Sequence, residues 1–179
     1  MILTKSKYRS DVRSMGSGNA GATNVARVFG MRAGLVTFAG DGIKTALAML
    51  LGRWIAGDIG FAVSGAACLI GHIWPVFFSF RGGKGVTVSA VIGLLIDWRV
   101  CVIGVALFLV TAFLSKRVSV GSMLGAASYP VTMLAIGGFS AYEFALGLLV
   151  AVSVLFMHRG NIARLINGTE PEFKPHKNQ

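Results

Sequence analysis

The chain alternates long apolar runs with short polar punctuation. Residues 1–32 are polar and basic, with Lys5, Lys7, Arg9, Arg13, Arg27 and Arg32 against the single acid Asp11. Apolar runs then occupy 33–57, 59–80, 86–96, 100–114, 119–138 and 141–157, and a polar tail covers 158–179. A helix needs about 20 residues to cross a bilayer, so the longer runs can span one. Gly57-Asp58 reads as a tight turn between the first two. The run 86–96 is short, which leaves a tilted helix, a broken helix, or a merger with 100–114 across Asp97-Trp98-Arg99. The pattern predicts an all-α, polytopic membrane helix bundle of about six transmembrane helices, built as one integral-membrane domain over 1–179. No apolar h-region precedes residue 33, so no signal peptide is expected and later helices must direct insertion.

Composition agrees. Hydrophobic residues make up 54% of the chain and charged residues 13%, against about 25% charged in soluble domains; the mean hydropathy is +0.70. A net charge of +10 would suggest nucleic acid in a soluble protein. Here the cations sit between apolar runs, so membrane anchoring and anionic ligands explain them better, and no nucleic-acid partner is expected. With six alternating helices, Arg81, Lys84, Lys116, Arg117, Arg159, Arg164, Lys174 and Lys177 share one side with the basic N-terminus. Asp58, Asp97, Arg99 and Glu143 share the other, with Arg53 near it. The positive-inside rule then places both termini in the cytoplasm. Cys68 and Cys101 lie inside apolar runs and read as small core residues, and the three His show no zinc spacing, so no metal is expected.

Three polar clusters fall on the predicted cytoplasmic side. Gly71-His72-Ile73-Trp74-Pro75 leads to Arg81-Gly82-Gly83-Lys84-Gly85, where glycines can aim successive N–H groups at one anion and Lys84 adds a charge. It is not a Walker A loop, since Phe78 replaces the first Gly and Gly85 replaces Ser or Thr. A plain flexible turn between helices is the alternative. Gly16–Arg27 contains G-x-G-x-x-G, but the basic stretch before it cannot be a buried strand, which excludes a Rossmann site. What remains is a flexible lead into a helix, either merely capped or offering Ser17, Asn19, Thr23, Asn24 and Arg27 to ligand oxygens. In His158–Glu170, helical spacing puts His158, Asn161 and Arg164 on one face, with Asn167-Gly168 as a stop. An interfacial basic helix meeting lipid headgroups is the plain reading there. Asp41 and Lys44 lie three residues apart within an apolar run, either neutralising each other or completing a polar site.

These residues resemble the bacterial membrane acyl-phosphate:glycerol-3-phosphate acyltransferases. That family has the motifs G-S-G-N-x-G-A-T-N-x-x-R, G-H-x-x-P-x-x-x-x-F-x-G-G-K-G and H-x-x-N-I-x-R-L-x-x-G-x-E, matched here in order by Gly16–Arg27, Gly71–Gly85 and His158–Glu170; its D-x-x-K pair is matched by Asp41 and Lys44. Members usually begin with a further helix, seven in all, so this domain is expected to lack the first one. The resemblance implies transfer of a fatty acyl group from acyl phosphate to the 1-hydroxyl of glycerol 3-phosphate, giving lysophosphatidic acid and phosphate, without a cofactor. It implies a site at the cytoplasmic face of the bacterial inner membrane, with membrane lipid and the enzyme that makes acyl phosphate as partners.

On this basis Gly82, Gly83, Lys84 and Gly85 are expected to hold the glycerol phosphate group, and Ser17, Asn19, Thr23, Asn24 and Arg27 the acyl phosphate. His158 and Asn161 orient the hydroxyl, Arg164 adds charge, Glu170 ties down the tail, and Asp41 and Lys44 support the site. His158, His72 or a substrate phosphate takes the proton. Neither histidine has the H-x-x-x-x-D partner of thioester-using acyltransferases, since Phe77 and Ala163 stand at that spacing. A small transporter for an anionic solute, or a catalytically inactive truncated homologue, is the competing reading. Polar groups gathered at one face, instead of along a path through the bilayer, argue against the transporter.

Overall fold

The computed structural model describes residues 2–172; Lys174 and Lys177 lie outside them. Among the described residues there is no strand. The helices are α1 (Ile2–Tyr8), α2 (Ala22–Phe29), α3 (Met31–Ile73), α4 (Val86–Ile96), α5 (Trp98–Ser115), α6 (Val118–Ile136), α7 (Ala141–Met157) and α8 (Arg159–Ile166), with short 3-10 turns at Val12–Ser14 and Val76–Phe78.

The helix α3 is two limbs, not one rod. Ala56 and Gly57 leave helical geometry, and Gly57 takes φ +59°, which costs a residue without Cβ little. In a straight helix residues 44 and 72 would stand about 42 Å apart. Instead, Lys44 Nζ lies 3.4 Å from His72 Nδ1, so the limbs run antiparallel. The second limb stops at Ile73, short of the apolar run's end at 80, because Pro75 cannot continue a helix.

The short run 86–96 resolves against merger with the next. Asp97 is extended (φ −162°, ψ 130°), and its carboxylate caps α5 by accepting from Arg99 N at 2.7 Å. Helix α5 then packs back along α4, where Cys101 Sγ meets Ala90 O at 3.6 Å. Helix α6 ends at the positive-φ pair Gly137 and Gly138, and α7 starts with a reciprocal cap between Ser140 and Glu143. Six apolar rods therefore stand where the sequence has six runs: two limbs of α3, then α4 to α7.

Met49, Phe61, Leu69, Ile92, Met133 and Val150 form a fully buried core shared by these rods. Outward-facing Trp54, Phe113 and Leu134 remain 83%, 84% and 72% exposed, the arrangement of a bundle whose outer solvent is lipid. By length and composition Met31–Phe78, Trp98–Ser115 and Val118–Ile136 can cross a membrane, and Ala141–Met157 with Arg159–Ile166, bent by 52°, can add another.

The bundle has two distinct ends. At one, Arg53 reaches Asp58 at 3.1 Å and Glu143 at 3.9 Å. At the other, Arg13 Nη1 donates to Phe78 O at 2.7 Å, Lys84 Nζ donates to Asn161, and Arg117 Nε donates to Glu170 O at 3.1 Å. The three polar clusters meet at this second end.

Candidate active site

A cleft of about 270 Å³ opens at that end, lined by residues of all three clusters. Ser17, Asn19, Thr23, Asn24 and Arg27 come from the first, Lys84 and Gly85 from the second, and His158, Asn161, Arg164 and Glu170 from the third. Helices α2, α4 and α6 all begin at its wall, with Ala22, Val86 and Val118 among the lining residues. First-turn N–H groups have no partner within their own helix, and the helix dipole is positive there. Three helix starts and three cations thus surround one acid.

Glu170 is that acid, and it organises the rest. Its Oε1 accepts from Ser119 Oγ and Asn161 Nδ2, both at 2.6 Å, and Oε2 accepts from Arg164 Nε at 2.8 Å. Burial alone would push its carboxyl up, yet these donors together hold it below the ordinary glutamate value. Asn161 passes the effect on, since its Oδ1 receives Lys84 Nζ while its amide holds Glu170. Burial draws the Lys84 ammonium down to about 8, with Glu170 opposing the shift and Arg164 and Arg27 adding to it. His158 is buried, and its Nδ1 lies 2.8 Å from Val154 O. That carbonyl fixes the ring proton on Nδ1 and leaves Nε2 as a lone pair.

Asn24 has a different task from the one expected. It is 2% exposed; its Oδ1 accepts from Ser17 N at 2.9 Å, and its amide donates to Val12 O, Met15 O and Asn19 O. With its donors spent on backbone, it shapes the loop that presents Ser17 and Asn19. Gly21 is the cap residue of α2, without a side-chain cap bond.

The expected Gly82-Gly83-Gly85 nest is corrected. Gly82 N–H donates to Ile73 O and Gly83 N–H to His72 O, each at 3.1 Å, so neither donor is free for a phosphate. Gly85 (φ +82°) lines the cleft and leads into α4. Gly82 and Gly83 instead line a second recess of about 410 Å³, together with Asp41 and Lys44. His72 is the wall between the two spaces. Lys44 Nζ pairs with Asp41 Oδ1 at 2.6 Å, and His72 Nδ1 sits 3.6 Å from that oxygen. The pair thus neutralises itself and also braces His72, without lining the cleft.

A Cβ on Gly83 would run into the His72 imidazole. Gly83→Ala is therefore expected to cost about 1–3 kcal/mol by overpacking and to lower activity by displacing the Lys84 loop. Adding His72→Ala should restore part of that loss, because the clash is with that ring. Strict additivity in unfolding and activity measurements would refute this coupling.

Several lining residues were not singled out from the sequence: Thr87, Ser119, Ser122, and the apolar Phe38 and Phe108. Ser119 and Ser122, three apart at the start of an apolar run just after Lys116-Arg117, were the available signal. Phe38, Val86, Phe108 and Ser122 also line an apolar groove of about 240 Å³ reaching Gly104 and Tyr129, so the groove adjoins the cleft.

Comparison with known proteins shows the family. The family model described as glycerol-3-phosphate acyltransferase matches residues 1–168. The glycerol-3-phosphate acyltransferase of Thermoanaerobacter pseudethanolicus (strain ATCC 33223 / 39E) is 41% identical over 169 residues, 94% of this chain and 85% of that one. That of Clostridioides difficile (strain 630) is 38% identical over 175 residues, 94% and 85% of the two chains. Among solved structures, PlsY (YgiH), an integral membrane glycerol 3-phosphate acyltransferase, superposes in its glycerol 3-phosphate form with a TM-score of 0.88 at 28% identity, covering 96% of this chain and 87% of that one. Its lysphosphatidic acid form gives 0.86 at the same identity and coverage. This chain, an all-helical membrane bundle with three cations in one cleft and matched by the family model over residues 1–168, belongs to the glycerol-3-phosphate acyltransferase family.

Proposed function

We propose that this enzyme moves a fatty acyl group from acyl phosphate to the 1-hydroxyl of sn-glycerol 3-phosphate, giving lysophosphatidic acid and phosphate. The observation that carries the reading is the convergence of Arg27, Lys84 and Arg164 on a cleft that adjoins an apolar groove. Two phosphate-bearing substrates need several cations and N–H donors in one place. A donor with a hydrocarbon chain needs an apolar continuation. The glycerol phosphate sits against Lys84, Gly85 and the start of α4. Ser17, Asn19, Thr23 and Arg27 hold the acyl phosphate, and Arg164 adds charge.

Acyl phosphate is already activated, so proximity and charge neutralisation suffice. The 1-hydroxyl oxygen bonds to the acyl carbon, the carbon–oxygen bond to phosphate breaks, and phosphate leaves with the electron pair. Nε2 of neutral His158 accepts the hydroxyl proton. Purified protein in lipid vesicles, given acyl phosphate and labelled glycerol 3-phosphate, is expected to release lysophosphatidic acid and phosphate in equal amounts. Turnover with acyl-CoA in place of acyl phosphate would overturn the choice of donor, and no product from either donor would overturn the reaction.

The site end faces the cytoplasm of the bacterial inner membrane, and the eleven-residue α4, about 16 Å long, passes through only part of the hydrocarbon core. This orientation rests on the basic loops at that end against Asp58, Asp97 and Glu143 at the other. An impermeant thiol reagent applied to intact cells is expected to label a cysteine introduced at position 58 and to miss one at 116. The reverse pattern would invert the orientation.

A further inference from the structure

The groove behind the cleft has an ordered depth. Helices α4 and α6 start at the cleft and α5 ends near it, so Val86, Phe108 and Ser122 mark the mouth. Ser89 is the last polar residue on the α4 wall; its buried hydroxyl has no partner among the described residues. Beyond it the lining turns to Ala90, Val105 and Gly104, and then meets Tyr129.

Tyr129 is built as a fixed wall. It is 4% exposed, and its hydroxyl donates to Ser89 O at 2.9 Å. Its ring lies so close to two glycines that a Cβ on Gly93 would come within 2.5 Å of Oη and one on Gly104 within 2.8 Å of Cε1. Held by a hydrogen bond at one end and by helix backbone on two sides, it cannot swing away from a ligand as an exposed side chain could.

We propose that Tyr129 is the stop that sets the length of acyl chain the groove accepts, which makes it a specificity determinant for the donor. The proposal rests on the acyl-transfer reading. Tyr129 lies seven residues beyond Ser122, about 10 Å along the helix. An extended alkyl chain, with C–C bonds of about 1.52 Å at tetrahedral angles, advances about 1.25 Å per bond, so this depth takes about eight bonds of a straight alkyl segment. A longer chain must turn sideways into lipid before the wall. Lipid is as apolar as the groove, so extra methylenes gain little from burial and steric fit decides the preference.

The test is kcat/KM for saturated acyl phosphates of graded length, in vesicles at saturating glycerol 3-phosphate. Tyr129→Ala is expected to raise the ratio of long-chain to short-chain kcat/KM by about tenfold, the usual scale of relieved or imposed overpacking. Ala90→Leu, which narrows the groove before the wall, is expected to lower the ratio by a similar factor. Tyr129→Phe keeps the ring and loses only the bond to Ser89 O, so its ratio should match the wild type. The KM for glycerol 3-phosphate should be the same throughout. Wild-type turnover with one unchanged ratio in Tyr129→Ala and Ala90→Leu overturns the stop while leaving the reaction intact. Should Tyr129→Ala fail to accumulate, an unchanged ratio in Ala90→Leu overturns it alone. A wild-type protein that transfers no acyl group overturns the reaction and the proposal with it.

Discussion

Lys84→Ala is expected to lower kcat/KM by about 10²–10³-fold, the scale on which losing one pre-set electrostatic partner of the reacting group slows an enzyme. Lys84 stands where α4 begins and is held on the cleft by Asn161, so its charge adds to the helix dipole at one point. Arginine should restore part of the loss as a cation, but its planar fork does not reproduce a compact ammonium. The pH profile gives a sharper reading. With the ammonium drawn down to about 8 from its ordinary 10.5, the charged form disappears as pH rises through 8 and activity should fall with it. Stability should move the other way. Between pH 8 and 10.5 the unfolded chain holds a proton on this lysine that the folded one has lost, so the lysine's contribution to stability rises with pH over that window. Falling activity without falling stability separates deprotonation of Lys84 from unfolding. In Lys84→Arg the alkaline limb should leave the measurable range; its persistence at the same pH would remove Lys84 from the mechanism.

Much of the fold was legible because a membrane chain announces its elements by hydropathy. The turn at Gly57 was signalled by residue type, since glycine is favoured where φ turns positive, whereas the run drawn to 138 passed through Gly137-Gly138, where the helix has already ended at Ile136. The end of α3 at Ile73 was misplaced because hydropathy alone does not see that Trp74–Phe80 stays apolar after Pro75 has broken the helix. The merger left open at 86–96 depended on Asp97, whose side chain caps the next helix instead of continuing the last.

The site was legible as a set of residues and less so as a division of labour. Three polar clusters separated by apolar runs could be grouped at one end by counting crossings, and the cleft gathers them. What each atom does was not readable from spacing. Gly82 and Gly83 look like a phosphate nest, but their N–H groups close off the end of α3. Asn24 lines the cleft, yet its amide donors are spent on tying its own loop together. Both differences have one cause. A backbone carbonyl is invisible in a sequence, and it competes with ligand for every donor nearby.

Glu170→Ala is expected to lower the unfolding free energy by about 2–3 kcal/mol, the cost of leaving buried hydrogen-bond partners unsatisfied. Ser119, Asn161 and Arg164 all donate to this one carboxylate. Two of those donors are buried, while Arg164 is half exposed, so its share is discounted for solvent. Glutamine should fall between, because an amide can accept from Ser119 and Asn161 but turns a donor toward the Arg164 guanidinium. The loss should reach the chemistry as well. Without the acid, Asn161 is free to rotate away from Lys84, and Arg27, Lys84 and Arg164 face one another uncompensated until a phosphate arrives. Glycerol 3-phosphate should therefore stabilise Glu170→Ala more than it stabilises the wild type, since the ligand supplies the missing negative charge. Thermal unfolding in detergent, with and without glycerol 3-phosphate, measures both effects. An unchanged midpoint in Glu170→Ala would mean that the segment after α8 is held by its backbone alone, and that the carboxylate organises nothing.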